Sequence, residues 1–267
     1  STEPSRNGKK KEESKSGYEK MLHQTNRKKM SFQDISAVYR RRYQLQEIAL
    51  EFYDIHSNGS FISFGSNAER EEVLNRLLNS SLPNSIFSSG SGSTPNYEKF
   101  MKALRTKITS QWVTGKMTNF DFLMHLNSFA GRSYNDLTQY PVFPWVIADY
   151  DSEELDLNNP NVYRDLSRPM GALGLARAEQ FRERYDALDS NYSRGDEPPA
   201  FHYGTHYSCA AYVLNYLLRL DPFSRLALSL QGGKFDLADR LFNNVSSSWN
   251  SASRDNLQDV RELIPEF

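Results

Sequence analysis

Pro141 and Pro144 stand three positions apart inside Tyr140–Val146 (YPVFPWV), in the middle of the chain, and they fix what that stretch can become. Each proline removes a backbone donor and pushes the residue before it out of the helical region, so an extended segment is expected rather than a helix or a central strand. Similar words flank it: LNSFAGRSYNDLTQ just before, RDLSRPMGALG (Arg164–Gly174) after, and FHYGTHYS at Phe201–Ser208. Aromatics, prolines and histidines thus fall in backbone with neither a 3.6-residue nor a two-residue period. Side-chain packing must therefore hold this region in place.

A length of 267 residues accommodates one large domain, or a small one joined to a larger one. The aromatic share of 13% favours cores filled by Phe, Tyr and Trp. The formal net charge of -1 hides an asymmetry, because residues 1–29 carry an excess of about five positive charges over an otherwise acidic remainder. That segment is polar and is expected to be a disordered basic linker. A single cysteine, Cys209, excludes an internal disulfide and fits a cytosolic setting. No apolar run is long enough for a membrane span and the start has no apolar leader, so membrane contact is expected to be peripheral. The absent initial Met and the apolar ending RELIPEF (Arg261–Phe267) give the expectation of a fragment of a longer polypeptide.

From Phe32 to Phe64 apolar and polar residues alternate, as in strands, and Asn58-Gly59 signals a hairpin before FISF. Ile48, Leu50 and Phe52 share one face. NAEREEVLNRLLNS then places Val73, Leu74, Leu77 and Leu78 on one helical stripe, with Asn67 as the expected N-cap. Ser88–Asn96 (SSGSGSTPN) reads as a linker. Thr94-Pro95 is expected to open a helix carrying Tyr97, Phe100, Met101, Leu104, Ile108 and Trp112 on a broad buried face as far as Gly115. A second helix follows from Asn119 and stops at Gly131. Further helices are expected over Leu173–Leu188, His206–Leu220 (ended by Pro222), Asp236–Val245 and Ser246–Asp255.

In order, FLMHLNSFAGRSYNDLTQYPVFPWVI, YRDLSRPMGAL, PAFHYGTHYS, LRLDPF, LQGGKFDLADRLF and RELIPEF resemble the BEACH domain, named for the Beige and Chediak-Higashi proteins. The phrase RRYQLQEIALEFY, with its hairpin and helix, resembles the end of the pleckstrin-homology-like (PH-like) domain that precedes BEACH domains. The resemblance implies a mostly α domain with irregular extended core segments, preceded by a partial β PH-like domain of strands plus a closing helix. The expected layout is a linker at 1–29, the partial PH-like domain at 30–87, a linker at 88–96 and a BEACH domain at 97–267, incomplete at its C-terminus. The earlier PH strands would lie upstream of Lys29, where the sequence is too polar to supply them, so an exposed sheet edge is expected. The resemblance also implies a non-enzymatic scaffold in a large cytosolic protein of vesicle traffic, lysosome-related organelles or autophagy, usually with WD40 repeats.

No catalytic residue and no cofactor is assigned. His202, His206 and Cys209 have an H-x3-H-x2-C spacing that could face a metal from one side of a helix, but a fourth ligand is missing. A hydrogen-bonding histidine pair and a small core cysteine are the readings adopted. The acidic run Asp149–Asp156 lacks the glycine and final glutamate of a calcium loop and reads as solvated. The glycines of Gly171–Gly174 and Gly232-Gly233 match no phosphate-binding pattern and read as turns.

Docking between the two units, or onto a partner, is assigned to Arg40, Arg41, Arg42, Tyr140, Trp145, Asp165, Arg168, His202, Tyr203 and His206. The arginines alternate across a strand, so they are expected to form salt bridges to the BEACH unit, with contact to phosphoinositide headgroups as the alternative. Core packing is the leading reading of Tyr140–Val146; the alternative is a groove wall in which Trp145 and Phe143 pack inward while Tyr140 stays accessible as an aromatic anchor. Asp165 and Arg168 would pair to lock the irregular segment. Trp145→Ala is expected to unfold the domain, and Arg41→Glu to loosen the units without unfolding either. Expected partners are proteins of membrane traffic, with weak peripheral membrane association and no nucleic acid.

Overall fold

A computed structural model describes residues 29–87, 96–192, 199–204, 207–237 and 240–267. The basic segment before Lys29, most of the 88–96 linker and His206 lie outside those residues.

The described chain begins with an antiparallel sheet in the order β1 (Ile35–Tyr43), β2 (Gln46–Asp54), β3 (Gly59–Ser63), followed by α1 (Asn67–Leu78). β1 and β2 are joined by a two-residue turn in which Gln44 and Leu45 both take positive φ, 49° and 65°. No Asn or Gly marks that turn in the sequence. The β2–β3 connection is not an Asn-Gly turn either. Asn58 donates its backbone and side-chain N–H groups to the Asp54 carboxylate, His56 N–H joins them, Ser57 takes φ 65°, and Gly59 is already strand. The Asp54 side chain thus does what a glycine would otherwise do, and these donors hold its carboxyl below the ordinary range.

A register shift between Ile35 and Ala37 turns Ile35 and Val38 toward one face, leaving Ala37 and Tyr39 on the other. Ser36, at the irregularity, donates its hydroxyl to the carbonyls of Tyr53 and Asp54. The first face packs Leu50 and Phe52 with Leu74, Leu77 and Leu82. Ser66 rather than Asn67 caps α1, accepting from Glu69 N–H, while Glu69 reaches back to Gly65 N–H. The second sheet face packs Ala37 and Tyr39 against Met101, Phe100, Leu104 and Phe129, which belong to α2 (Tyr97–Val113) and α3 (Asn119–Phe129).

Asn96 caps α2 through Lys99 N–H, so the expected Thr94-Pro95 start is not the cap. α2 buries Met101 and Ile108 but leaves Trp112 and Val113 exposed, a narrower buried face than the sequence pattern implies. Thr118 caps α3, and Gly115 and Gly131, at φ 71° and 81°, end the two helices. Next come short 3-10 turns at Leu137–Gln139, Pro160–Val162 and Met170–Ala172, and then α4 (Leu175–Ser190).

α5 (Ala210–Leu217) is shorter than the expected His206–Leu220. Pro222 does not end it but stands at the N-cap of a further helix, α6 (Phe223–Leu230), that the sequence reading missed. Described residues between Asp236 and Asn244 contain no α-helix. α7 (Val245–Asn250) runs into a π-helical turn at Ser251–Asp255. Trp145, Met170, Phe181, Trp249, Ala252 and Val260 form the core of this part, with Tyr140, Val213, Tyr216, Leu217, Phe242 and Ile264 beside it.

Candidate functional site at the seam between sheet and helices

Arg40, Arg41 and Arg42 follow one another on β1 and so alternate between its faces. Arg40 lies on the side of α1. Its guanidinium bridges Glu71 of α1 at 2.5 Å and Glu98 of α2 at 2.6 Å, and it covers the Tyr97 ring at 4.4 Å. Arg41 points the other way and is buried. Its Nε donates to Glu51 Oε2 at 2.7 Å, and its two terminal nitrogens donate to Ser128 O and Oγ, both at 2.9 Å. Arg42 is exposed and pairs with Glu47 across the hairpin at 3.1 Å.

Glu51, wholly buried, is the centre of this seam. Besides Arg41 it accepts from Asn135 Nδ2 at 2.7 Å and from the Ser133 hydroxyl, both in the loop after α3. A carboxylate removed from water needs its lone pairs filled, and here a cation and two neutral donors from two parts of the chain fill them. The same environment acts on Tyr53, whose hydroxyl is pushed up to about 12, first by burial and then by the Glu51 charge. Burial also raises Tyr39, against the opposing pull of Arg41.

Because Arg41 bonds first to a glutamate of its own sheet, the expectation that Arg41→Glu would loosen the units without unfolding either is corrected. Facing Glu51, a second buried carboxylate would destabilise the sheet itself.

Above the seam lies a groove of about 360 Å³. Arg40, Arg41, Arg42 and Arg70 line one side, and Phe129 to Gly131 with Gln139 line the other. The triplet does not form a free basic patch, since each of its arginines already has a carboxylate.

The proline segment is tied by other means. Asn127 exchanges side-chain bonds with Val142, accepting from its N–H at 2.7 Å and donating to its carbonyl at 2.8 Å. Phe143 and Leu263 exchange backbone bonds, both 2.8 Å. Trp145 is fully buried and donates its ring nitrogen to Arg261 O at 3.0 Å. Tyr140 fits the core reading and not the accessible-anchor alternative: it is 6% exposed, and its hydroxyl donates to Glu266 at 2.6 Å. Burial, then Glu266, drives that hydroxyl's pKa upward.

Asp165 and Arg168 pair at 3.3 Å, but both are about half exposed, so they do not lock the segment. The lock is the neighbouring Arg164, buried, which grips both Glu262 oxygens at 2.7 and 2.9 Å and also donates to Arg168 O. Arg177, likewise buried, donates to the carbonyls of Ala252, Asn256 and Asp259 around the π-helical turn.

His202 stacks on Tyr185, ring centres 4.3 Å apart. Tyr203 packs on Phe181 and lies so close over Gly171 that an added Cβ would meet its ring at 2.4 Å. Cys209 precedes the first turn of α5 and His202 lies in non-helical backbone, so the shared helix face imagined for a metal does not exist. Among the described residues no group of three His, Cys, Asp or Glu could hold a metal ion. No described helix is long and apolar enough to cross a membrane.

The structure therefore brings Arg40, Arg41 and Arg42 to one seam, buries Tyr140 and Trp145 in two neighbouring core clusters with Tyr203 packed against that of Trp145, and leaves Asp165, Arg168 and His202 outside both. Sequence reasoning missed Glu51, Ser133, Asn135, Arg164 and Glu262. For Glu51 a signal was present, an acidic residue on the apolar stretch EIALEFY two places beyond the cross-strand partner of Arg41.

Residues 110–267 match the family model described as Beige/BEACH domain, and residues 2–78 match the PH domain associated with Beige/BEACH. Among curated proteins, the chain is 46% identical over 240 residues to BEACH domain-containing protein A2 of Arabidopsis thaliana, covering 87% of this chain and 7% of that protein. It is 45% identical over 241 residues to Protein SPIRRIG of the same plant, covering 88% and 6%. Beige protein homolog 1 of Saccharomyces cerevisiae is 46% identical over 262 residues, covering 88% and 12%. The chain thus spans at most about an eighth of the length of these relatives.

Proposed function

We propose that this chain, which belongs to the BEACH family and carries its associated PH module, is a non-enzymatic scaffold: the sheet unit and the helical unit dock as one body and offer the groove between them to a protein partner. The observation that carries the reading is the Arg41–Glu51 pair, completed from the helical side by Ser128, Ser133 and Asn135. Truncating one member of a buried network leaves the rest unsatisfied, so such a seam resists opening and behaves as a fixed surface.

The layout we propose is a PH-like unit at 30–87, a linker at 88–96 and a BEACH unit from 97 onward. Extended segments around Tyr140–Val146 form the BEACH core. Arg40 and Arg41 act as docking residues, with Tyr140 and Trp145 supporting them from the core. In a longer polypeptide the module would act in vesicle traffic, in the cytoplasm or peripherally on vesicle membranes, as the resemblance to the BEACH family implies.

A pull-down from cytosol with the full chain tests this, against Phe129→Ala in the groove wall and, as control, Leu188→Ala on the far helix. Loss of the same captured proteins with Phe129→Ala alone supports the groove; identical capture by all three sinks it. Peripheral membrane binding would draw on the same arginines, which are already paired with glutamates. Sedimentation with phosphoinositide vesicles checks that alternative.

A further inference from the structure

The arginines and glutamates of the groove are of two kinds. Glu51 and Glu71 hold Arg41, Arg40 and Arg70 from within, and Arg41 and Arg70 are almost wholly inaccessible. Glu47 and Glu98 are different: their side chains are 56% and 74% exposed, and they close onto Arg42 and Arg40 from the solvent side. An exposed ion pair contributes little, and its carboxylate exchanges readily for another. Arg40 Nε, moreover, is buried and has no hydrogen-bond partner among the described residues. The opposite wall is the C-terminal turn of α3, whose carbonyls would repel an anion if free. They are capped by Ala130, Gly131 and Arg132 N–H groups, and Ser128 O takes Arg41. Phe129 supplies the apolar side chain of that wall, beside Ala130, Gly131 and Gln139.

We infer that the groove takes an acidic peptide segment of a protein partner, its carboxylates replacing Glu98 on Arg40 and Glu47 on Arg42 while an apolar side chain lies against Phe129. This rests on the reading of the groove as the binding surface. Arg40, with one terminal nitrogen held by the inner Glu71, is preorganised to offer the other to a carboxylate, and the exposed Arg42 adds a second cation beside it. A lipid headgroup is the poorer fit: its clustered phosphates call for converging unpaired cations, whereas these cations are spaced along a strand and flanked by an aromatic wall.

The probe is a random twelve-residue peptide library displayed on phage and panned on the full chain, the enriched peptides then being measured by fluorescence anisotropy beside versions with Glu and Asp changed to Gln and Asn. The expected outcome is enrichment of acidic peptides that weaken about tenfold in the amide version and with Arg42→Glu, and bind more weakly in high salt. Glu98→Gln, by removing the competing carboxylate, should tighten them about threefold. Arg42 and Glu98 are exposed or solvent-facing, so both variants keep the fold. Neutral or basic enriched peptides, indifference to Arg42→Glu, no enrichment, or binding of anionic vesicles in place of peptides would each overturn the inference. Neutral peptides that still depend on Phe129 would defeat the acidic chemistry and spare the groove. Binding unaffected by Phe129→Ala would defeat both.

Discussion

Arg41–Glu51 and Arg164–Glu262 are buried ion pairs at different places in the molecule, and they are built differently. Arg41–Glu51 lies between sheet and helices, its carboxylate satisfied by side chains from two parts of the chain. Arg164–Glu262 lies within the helical unit, where the two-pronged grip is supplemented by backbone: Glu262 also accepts from Trp145 N–H, and Arg164 donates to Arg168 O. The first pair spans β1 and β2, whose ladder surrounds it, and reaches the helical side through Ser128, Ser133 and Asn135. The second reinforces backbone joined by the isolated bridges Phe143–Leu263 and Ile147–Tyr163, and beside it stands the fully buried Trp145. One charge pair thus sits within a continuous strand ladder, while the other adds side-chain bonds where the backbone has only single bridges.

The strongest challenge to that contrast is Trp145→Ala. The substitution opens a cavity among Tyr150, Trp249 and Val260 and abolishes the bond to Arg261 O. A loss of about 3–5 kcal/mol is expected in denaturant unfolding, a large share of the roughly 5–15 kcal/mol that holds a typical domain folded. A loss under about 1 kcal/mol would mean that the irregular segment does not depend on its tryptophan.

At the seam, Glu51→Leu strands the Arg41 charge and should cost near the lower end of about 3–5 kcal/mol, because Ser128 still accepts two of the Arg41 bonds. The double variant Arg41→Met with Glu51→Leu is expected to recover most of that loss. An equivalent double replacement of Arg164 and Glu262 should not recover, since backbone groups would lose their partners. Equal recovery at both sites, read from urea midpoints, would erase the distinction drawn here.

Gly171→Ala comes next. Its Cβ would meet Tyr203 Cε1 at 2.4 Å and Phe181 Cε2 at 2.9 Å, and two packed rings have little freedom to yield. A cost of about 1–3 kcal/mol is expected in a thermal melt, with recovery on pairing it with Tyr203→Leu. Failure of that second change to restore stability would show that the backbone at Gly171, rather than the ring over it, limits the site.

How far the sequence disclosed this arrangement follows from the same contrast. Strands and helices with regular periods, such as β2, α1 and α3, were readable because burial repeats along them, and Gly115 and Gly131 marked two helix ends correctly. Turns set by side chains were not: Asp54 acting as a cap and Gln44-Leu45 taking positive φ leave no local signature. The arginine triplet drew attention as a run of charge, yet its meaning depended on Glu51 being buried, which only the packing of two units decides. In YRDLSRP the eye falls on the pair Asp165 and Arg168, three apart; the residue that matters is Arg164, whose partner Glu262 is 98 positions away. Local spacing reveals local pairs, and the long-range ones leave no mark in it.

The smallest effect belongs to that misleading pair. Asp165 is held chiefly by Ser167, accepting from its hydroxyl and its N–H, and only then by Arg168, and these bonds keep its carboxyl below the ordinary range. A depressed carboxylate favours folding at pH values above the ordinary aspartate range of about 4 and loses that effect as acid brings the pH down through its lowered native value. Arg168→Ala should therefore move the melting temperature by no more than about 2 °C at pH 7, because the Ser167 bonds persist. Ser167→Ala, which removes the leading cause, should shrink the stability difference between pH 6 and pH 3 more than Arg168→Ala does. The reverse order in paired melts at those two pH values would make the exposed ion pair, after all, the element that orders this loop.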